Sequence, residues 1–256
     1  MLKALNSGAS GLNSQQLRLD SIAGNVANIN TAGFKKSRAE FSELISQEIE
    51  KNGIPVSRDS ADAASGSGVY VSAVLKDFGP GGLVETGRQL DLAIHGEGFF
   101  KVLLPDGGEM YTRDGALGLN VDGNLVTQAG FLLEGIEPVS GQERLTVAPD
   151  GTVRFEGAEG IADAGQITLY RFANPNGLRA EGGNLYSYDG DAGEITSGTP
   201  GSDGFGEIRQ GFLEAANVDL VEEMAGLIEA QRSYGFNARV VRTADDMWNM
   251  ANNLRK

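Results

Sequence analysis

The chain has a single histidine, His95, followed by Gly96-Glu97-Gly98, and this is where chemistry would first be sought. An imidazole beside a carboxylate suits general acid–base work. A nucleophilic mechanism would add a Ser or Cys for the imidazole to activate. No such partner is visible for His95, and the chain has no Cys. Gly96-Glu97-Gly98 also lacks the third glycine and following helix of a dinucleotide loop. Asp189-Gly190-Asp191-Ala192-Gly193-Glu194 resembles a fragment of a calcium loop without its twelve-residue ligand pattern, so a β-turn is expected there. Carboxylates are abundant, at 35 Asp and Glu, but no spacing pairs two of them for glycoside hydrolysis. One histidine and no thiolate leave little for a transition metal. Neither catalysis, cofactor nor metal is expected.

A second group of residues suggests structural chemistry. The stretch Asn25-Val26-Ala27-Asn28-Ile29-Asn30-Thr31-Ala32-Gly33-Phe34-Lys35 packs three asparagines into six positions before a Gly-Phe-Lys. Asparagine amides both donate and accept, so Asn25, Asn28 and Asn30 can cap a helix end and bond nearby backbone, with Thr31 beside them. Gly33 permits positive φ or close approach where the chain leaves the helix. Phe34 can anchor the turn, and Lys35 completes the motif. A helix-to-loop turn inside one subunit is one reading; a turn that also contacts a neighbour is the other.

The elements that would hold this turn are legible from periodicity. Leu2, Leu5, Ala9, Leu12, Leu19, Ala23 and Val26 step by threes and fours, with Gln16 filling the one long gap. At the far end Met224, Leu227, Gln231, Tyr234, Ala238, Val241, Asp245 and Trp248 step likewise. Both are coiled-coil-like seams. Asn217-Val218-Asp219 is a plausible cap for the second, with Glu222 and Glu223 in its first turn. Between the helices, Asp-Gly recurs at 106–107, 114–115, 122–123, 150–151 and 189–190, as tight hairpin turns require. Strands are expected at 99–104, 110–113, 125–128, 131–133, 145–148, 152–155 and 167–172. Spacings of this kind point to an antiparallel sandwich or barrel. The fold expected is α+β. A helical stem from residues 1–45 and 214–256 carries an extended arm, 46–68, and an inserted, mainly antiparallel β domain, 69–213, with a return segment from about 189.

Charge narrows the partners. The net −14 is uneven: residues 1–50 sum to zero, 214–256 to −2, and 51–213 to −12. An acidic middle argues against nucleic acid as a ligand, since phosphate binding needs a basic surface. No apolar run reaches the 18 residues of a membrane span. Near-neutral ends pack more readily against other copies.

The signature at 25–35 resembles that of the bacterial flagellar rod and hook axial proteins. Gly87-Arg88-Gln89-Leu90-Asp91-Leu92-Ala93-Ile94-His95-Gly96-Glu97-Gly98-Phe99-Phe100, followed by Tyr111-Thr112-Arg113-Asp114-Gly115, resembles the β-domain motif of the same family. So does Leu213-Glu214-Ala215-Ala216-Asn217-Val218-Asp219, running on to Glu222-Glu223-Met224 and Ala230-Gln231-Arg232-Ser233-Tyr234. Length, Asn174-Pro175-Asn176-Gly177-Leu178 and Asn184-Leu185-Tyr186 stand nearest the distal-rod branch. Gly235-Phe236 and Trp248 depart from the family pattern, and Gly235 weakens its helix by roughly 1 kcal/mol relative to Ala.

The resemblance implies a structural subunit that assembles into a hollow helical tube, transmits torque from motor to hook and lets exported subunits pass. It implies export by the flagellar type III apparatus without a cleaved leader, and residence in the basal body outside the cytoplasmic membrane, in the periplasm and cell wall. The implied partners are further copies, other rod subunits, hook protein, the export apparatus, and ring or bushing proteins. The arm 46–68 would set a straight rod against a bendable hook. The terminal segments 1–35 and 220–256 are expected to order fully only when neighbours cover them. A proximal rod or hook subunit is the alternative within the family; a wall- or carbohydrate-binding β module is the alternative outside it, made weak by only 7% aromatic residues.

Overall fold

The computed structural model describes residues 2–43, 47–48, 64–65, 68–138, 144–157, 160–202 and 204–253. It has two terminal helices, α1 (Leu2–Ala27) and α2 (Leu220–Asn253), with antiparallel β-structure between them. The chain divides into two units. One comprises residues 1–27, 37–75 and 219–256; the other comprises 28–36 and 76–218. No helix among the described residues is long and apolar enough to cross a membrane.

In the helical unit α1 and α2 lie side by side and run in opposite directions, as shown by the pairings of Gly8 with Val241 and Ile22 with Gly226. Arg18 and Glu229 form an exposed ion pair between them at 3.1 Å. Asp219 caps α2, its carboxylate accepting the N–H groups of Val221 (2.8 Å) and Glu222 (3.1 Å), so the expected cap is in place. Strands Ser37–Glu43 and Val69–Lys76 form a two-stranded ribbon. Of the arm, the two-residue pairing Gln47–Glu48 with Ala64–Ser65 is seen; the rest of 46–68 up to 67 lies outside the described residues.

The β unit follows the Asp-Gly text. Gly107, Gly123, Gly151 and Gly190 all take positive φ, each closing a turn as the sequence predicts. Gly115 has another reason to be glycine: a Cβ there would lie 1.5 Å from the Leu92 carbonyl oxygen. The main sheet runs in the order Arg179–Gly182, Leu185–Ser187, Glu109–Thr112, Phe99–Leu103, Leu132–Leu133, Leu125–Thr127, Leu117–Leu119. Leu169–Phe172 also joins Phe99–Leu103 and carries Ile195–Gly198 on its other edge. A meander of Arg144–Val147, Thr152–Gly157 and Gly160–Gln166 stands apart from this sheet. His95 is an exposed strand residue opposite Glu207. The 189–194 segment is a turn, closed by Tyr188 donating to the Gly193 carbonyl.

Alternation along one strand explains the two cores. Successive side chains of a strand point to opposite faces. Phe100 and Val102 enter the large apolar core with Leu92, Ile94, Leu169 and Ile208. Phe99 faces the other way into an aromatic cluster with Tyr111, Phe172 and Tyr186, whose rings meet edge to face at 4.8–6.1 Å, a favoured geometry. Lys101 shares that second face. Its ammonium binds Glu109 (2.6 Å) and Glu134 (2.9 Å), and the Tyr170 hydroxyl donates to Glu134 at 2.6 Å.

This group makes the fold sensitive to alkali. Burial works against the Lys101 charge, but its bonds to Glu109 and Glu134 prevail and push the ammonium upward. Burial, then the bond to Glu134, pushes the Tyr170 hydroxyl from 10.0 up to about 12. Both groups therefore hold their protons longer folded than unfolded. Their contribution is complete below about pH 10 and is lost as pH rises toward 12. A tyrosine circular-dichroism titration should show stability falling across that window, and Tyr170→Phe should reduce the fall. An unchanged slope in the variant would remove Tyr170 from the account.

Candidate functional site

The residues of the amino-terminal signature divide between the two units. Asn25 belongs to the last turn of α1 and faces inward, 1% exposed. Its amide donates to the Ser37 carbonyl (2.9 Å) and to Glu223 of α2 (3.1 Å), and accepts the Ser37 N–H (2.8 Å). One side chain thus pairs with the first ribbon strand as another strand would, and supplies a donor to the buried Glu223 carboxylate. Of the two uses expected of it, capping and bonding nearby backbone, Asn25 makes the second, with Ser37, and adds a cross-link to Glu223 within the helical unit.

The remainder of the signature, 28–36, belongs to the β unit. Thr31 N–H donates to the Asn28 carbonyl, Phe34 N–H to the Thr31 carbonyl, and the Thr31 hydroxyl to the Asn28 amide oxygen. Asn30 is exposed. Gly33 sits at φ +67°, and its N–H donates to the Glu214 carbonyl at 2.8 Å. A Cβ on Gly33 would lie 2.7–2.9 Å from the backbone of Arg113 and Asp114. Both reasons for glycine at this point, positive φ and close approach, therefore hold together.

Lys35 leads to an arrangement that the sequence did not disclose. Its ammonium, fully buried, bonds Glu214 at 2.7 Å and the Gly79 carbonyl at 2.8 Å. Glu214, 1% exposed, also accepts the Gly81 N–H at 2.8 Å and meets the Arg113 guanidinium at 3.4 Å. Arg113 donates to the Gly96 carbonyl at 2.8 Å and lies 5.2 Å over the Phe99 ring. The three sequence motifs, separated along the chain, meet in this cluster, with one charged residue from each. Asn217 locks the same place, accepting the Lys36 N–H and donating to the Asp77 and Gly79 carbonyls. The cluster carries two cations and one carboxylate. Burial pushes both the Lys35 ammonium and the Arg113 guanidinium below their ordinary values, with Glu214 pulling the other way. Its role is mechanical: it clasps three passages of chain, 33–36, 77–81 and 211–217, into one knot.

The two helical seams are displaced by one residue from the line of contact. The buried residues of the helices are Gly8, Gly11, Ser14, Ile22 and Asn25 on α1, and Glu223, Ala230 and Ala244 on α2, Ser14 and Asn25 also bonding the strand ribbon at Val69 and Ser37. These fall one position before Ala9, Leu12, Ala23 and Val26, and before Met224, Gln231 and Asp245. Small residues make the contact: a Cβ on Gly8 would meet a Val241 methyl at 2.7 Å, and one on Gly11 the Asn237 amide at 2.7 Å. The bulkier seam residues lie on the flank. Leu5, Leu12, Leu19, Val26, Leu227, Ala238 and Val241 are half-buried, while Met224, Gln231, Tyr234 and Trp248 are exposed; Leu2 begins α1. Val221, Met224 and Ile228 are 51–78% exposed and share one helix face by their three- and four-residue spacing.

Comparison with known proteins agrees with the motifs. Residues 5–35 match the flagella basal body rod protein family, residues 93–155 the flagellar hook protein FlgE/F/G D1 domain, and residues 209–254 the flagellar basal body rod FlgEFG protein C-terminal family. The chain is 39% identical over its whole length, and the whole of the relative, to the flagellar basal-body rod protein FlgG of Borreliella burgdorferi. It is 40% identical to FlgG of Agrobacterium fabrum, covering 96% of this chain and 97% of the relative. The FlgG of Caulobacter vibrioides is 39% identical, over 99% and 100%.

Proposed function

The chain belongs to the flagellar basal-body rod protein family, and from that premise we propose that it polymerises into the distal rod as a hollow helical tube. It is a structural subunit of the flagellar basal body and not an enzyme. In the proposal the terminal helices build the tube wall. Exported subunits pass along the bore, and torque passes along the wall. The chain itself leaves through the type III apparatus and assembles outside the cytoplasmic membrane, against other rod subunits, hook protein and ring or bushing proteins.

One observation carries this reading. The helix pair meets through Gly8, Gly11 and Gly226 with Val241 and Ile22 packed on them, while Met224, Tyr234 and Trp248 of the second seam remain exposed. A helix pair that had only itself to pack against would put its bulk inward. Here Val221, Met224 and Ile228 face outward, which suits a surface that neighbours cover. Such a contact joins two different patches, repeats without closing, and generates a helix of subunits. The ordering of the ends on assembly belongs to the same proposal.

The test is Met224→Glu with Ile228→Glu in the full chain. Neither site is buried, so monomer unfolding should shift by only about 0.5 kcal/mol or less. The concentration needed for polymer should rise about a hundredfold or more, since each side chain is worth roughly 1.5–3 kcal/mol when covered. Normal polymerisation of the double variant, measured by sedimentation, would refute the role of this face.

A further inference from the structure

The cleft beside the signature turn has a counterpart elsewhere on the same β unit. The cleft encloses about 550 Å³ and is walled by Phe34, Lys76, Gln128, Asn184, Leu185 and Tyr186. Lys76 is the cation on this wall. Its ammonium lies 5.1 Å from the Phe34 ring centre and 6.0 Å from that of Tyr186. Its one hydrogen bond among the described residues, to the Lys35 carbonyl, is long at 3.5 Å. No carboxylate among the described residues pairs with it, and burial pushes its ammonium downward. The cleft's own acid, Asp114, accepts the Ala116 N–H at 3.0 Å and makes no ion pair with Lys76. In a β region of net charge −12, a half-buried cation without a counter-ion is a place prepared for an anion.

The counterpart is the tip of the hairpin formed by Leu117–Leu119 and Leu125–Thr127. There the Asn120 side-chain oxygen accepts the N–H groups of Asp122 (3.0 Å) and Asn124 (2.8 Å), and Gly123 takes φ +83°. The tip is thereby fixed in shape. Val121 projects from it with 105% exposure, and the adjoining Asp122 carboxylate is exposed without an ion pair among the described residues. The cleft borders the opposite end of this hairpin, at Thr127 and Gln128. Three strand residues, about 10 Å, separate the two ends, so the tip cannot fold back into the cleft of its own copy.

We propose that the Val121–Asp122 tip of one copy seats in the cleft of the next, the valine against Phe34, Leu185 and Tyr186 and the carboxylate on the Lys76 ammonium. The occupant is a second copy of this chain because the projection is apolar and anionic where the cleft is ring-walled and holds the Lys76 ammonium without an ion pair among the described residues. The cleft volume falls in the range that accepts small guests. Knob and hole on different ends of one element make a head-to-tail contact that propagates in one direction. The Asn28–Phe34 turn gains a use: it forms a wall of the receiving cleft. The inference rests on self-assembly as proposed above.

Full-length Lys76→Glu, Asp122→Lys and the exchanged pair test it. Each single variant should raise the concentration needed for polymer about tenfold or more, and the pair should recover most of that loss. Asp122 is exposed, so Asp122→Lys keeps the fold even if Lys76→Glu does not. Independently, Val121→Cys protein mixed with Gln128→Cys protein and treated with a mild added oxidant should form disulfide-linked dimers in polymer; the natural chain has no cysteine to compete. If wild-type chain polymerises and Asp122→Lys assembles equally well, or the paired cysteine variants polymerise without cross-linking, this contact is overturned and the rod reading stays intact. A wild-type chain that does not associate at any concentration overturns both.

Discussion

Glu214→Ala should unfold the β unit at markedly lower denaturant, at a cost of about 3–5 kcal/mol. The figure is that for removing one partner of a buried ion pair. The geometry places this site at the severe end. Glu214 is the one carboxylate of the cluster, and without it Lys35 at 0% exposure and Arg113 at 3% face each other as like charges. The Gly81 N–H loses its acceptor as well. Lys35→Met is the informative contrast. It removes a cation and leaves Arg113 with Glu214, a neutral pair that retains the bond from Gly81. It should cost about half as much or less, although both variants break the same 2.7 Å contact. The signal is available, because Tyr111, Tyr170, Tyr186 and Tyr188 lie in the β unit and the single tryptophan, Trp248, lies on α2. Near-ultraviolet circular dichroism therefore separates the two units through the tryptophan band and the buried Tyr111 and Tyr186, since Tyr70 and Tyr234 of the helical unit are exposed. Equal losses for Glu214→Ala and Lys35→Met would show that charge count does not govern the cluster.

Gly33→Val should be comparably damaging, by a different mechanism. A β-branched residue at φ +67° pays for the left-handed conformation, and its Cβ would enter the space of Arg113 and Asp114 backbone atoms 2.7–2.9 Å away. Backbone cannot rotate aside as a side chain can. The Gly33 N–H would lose its 2.8 Å bond to the Glu214 carbonyl as the turn moved, and Lys35, two residues on, would be pulled from its carboxylate. A loss of more than about 3 kcal/mol is expected in β-unit stability, with polymerisation lost alongside. From sequence, Gly33→Val and Asn28→Ala would be expected to affect assembly more than the β domain. The contacts of Gly33 place its effect first in the β unit, whereas Asn28, partly exposed on the cleft wall, keeps the original expectation. Retained tyrosine signal in Gly33→Val with assembly lost would reverse that order.

The β architecture was readable because its signals are local. Asp-Gly at 122–123 or 150–151 favours a tight turn locally, and the strands expected at 99–104, 110–113 and 125–128 appear as Phe99–Leu103, Glu109–Thr112 and Leu125–Thr127. The helices were equally plain. The face they share was not, because a heptad reading gives weight to Leu12 and Met224, whereas Gly8, Gly11 and Ala230 allow the backbones closer. The clasp could not be read at all. Arg113 and Glu214 stand in the motif text, but nothing local says that they meet each other or Lys35. That is decided by which strands pair, above all Phe212–Glu214 with Leu83–Glu85.

The span of that clasp bears on timing. Lys35 and Glu214 are 179 residues apart, and a bond of such separation forms late, after the cost of closing a long loop has been met. A chain lacking its last fifth has no Glu214 with which to close. Until that residue arrives, the knot of 33–36, 77–81 and 211–217 has no carboxylate around which to close.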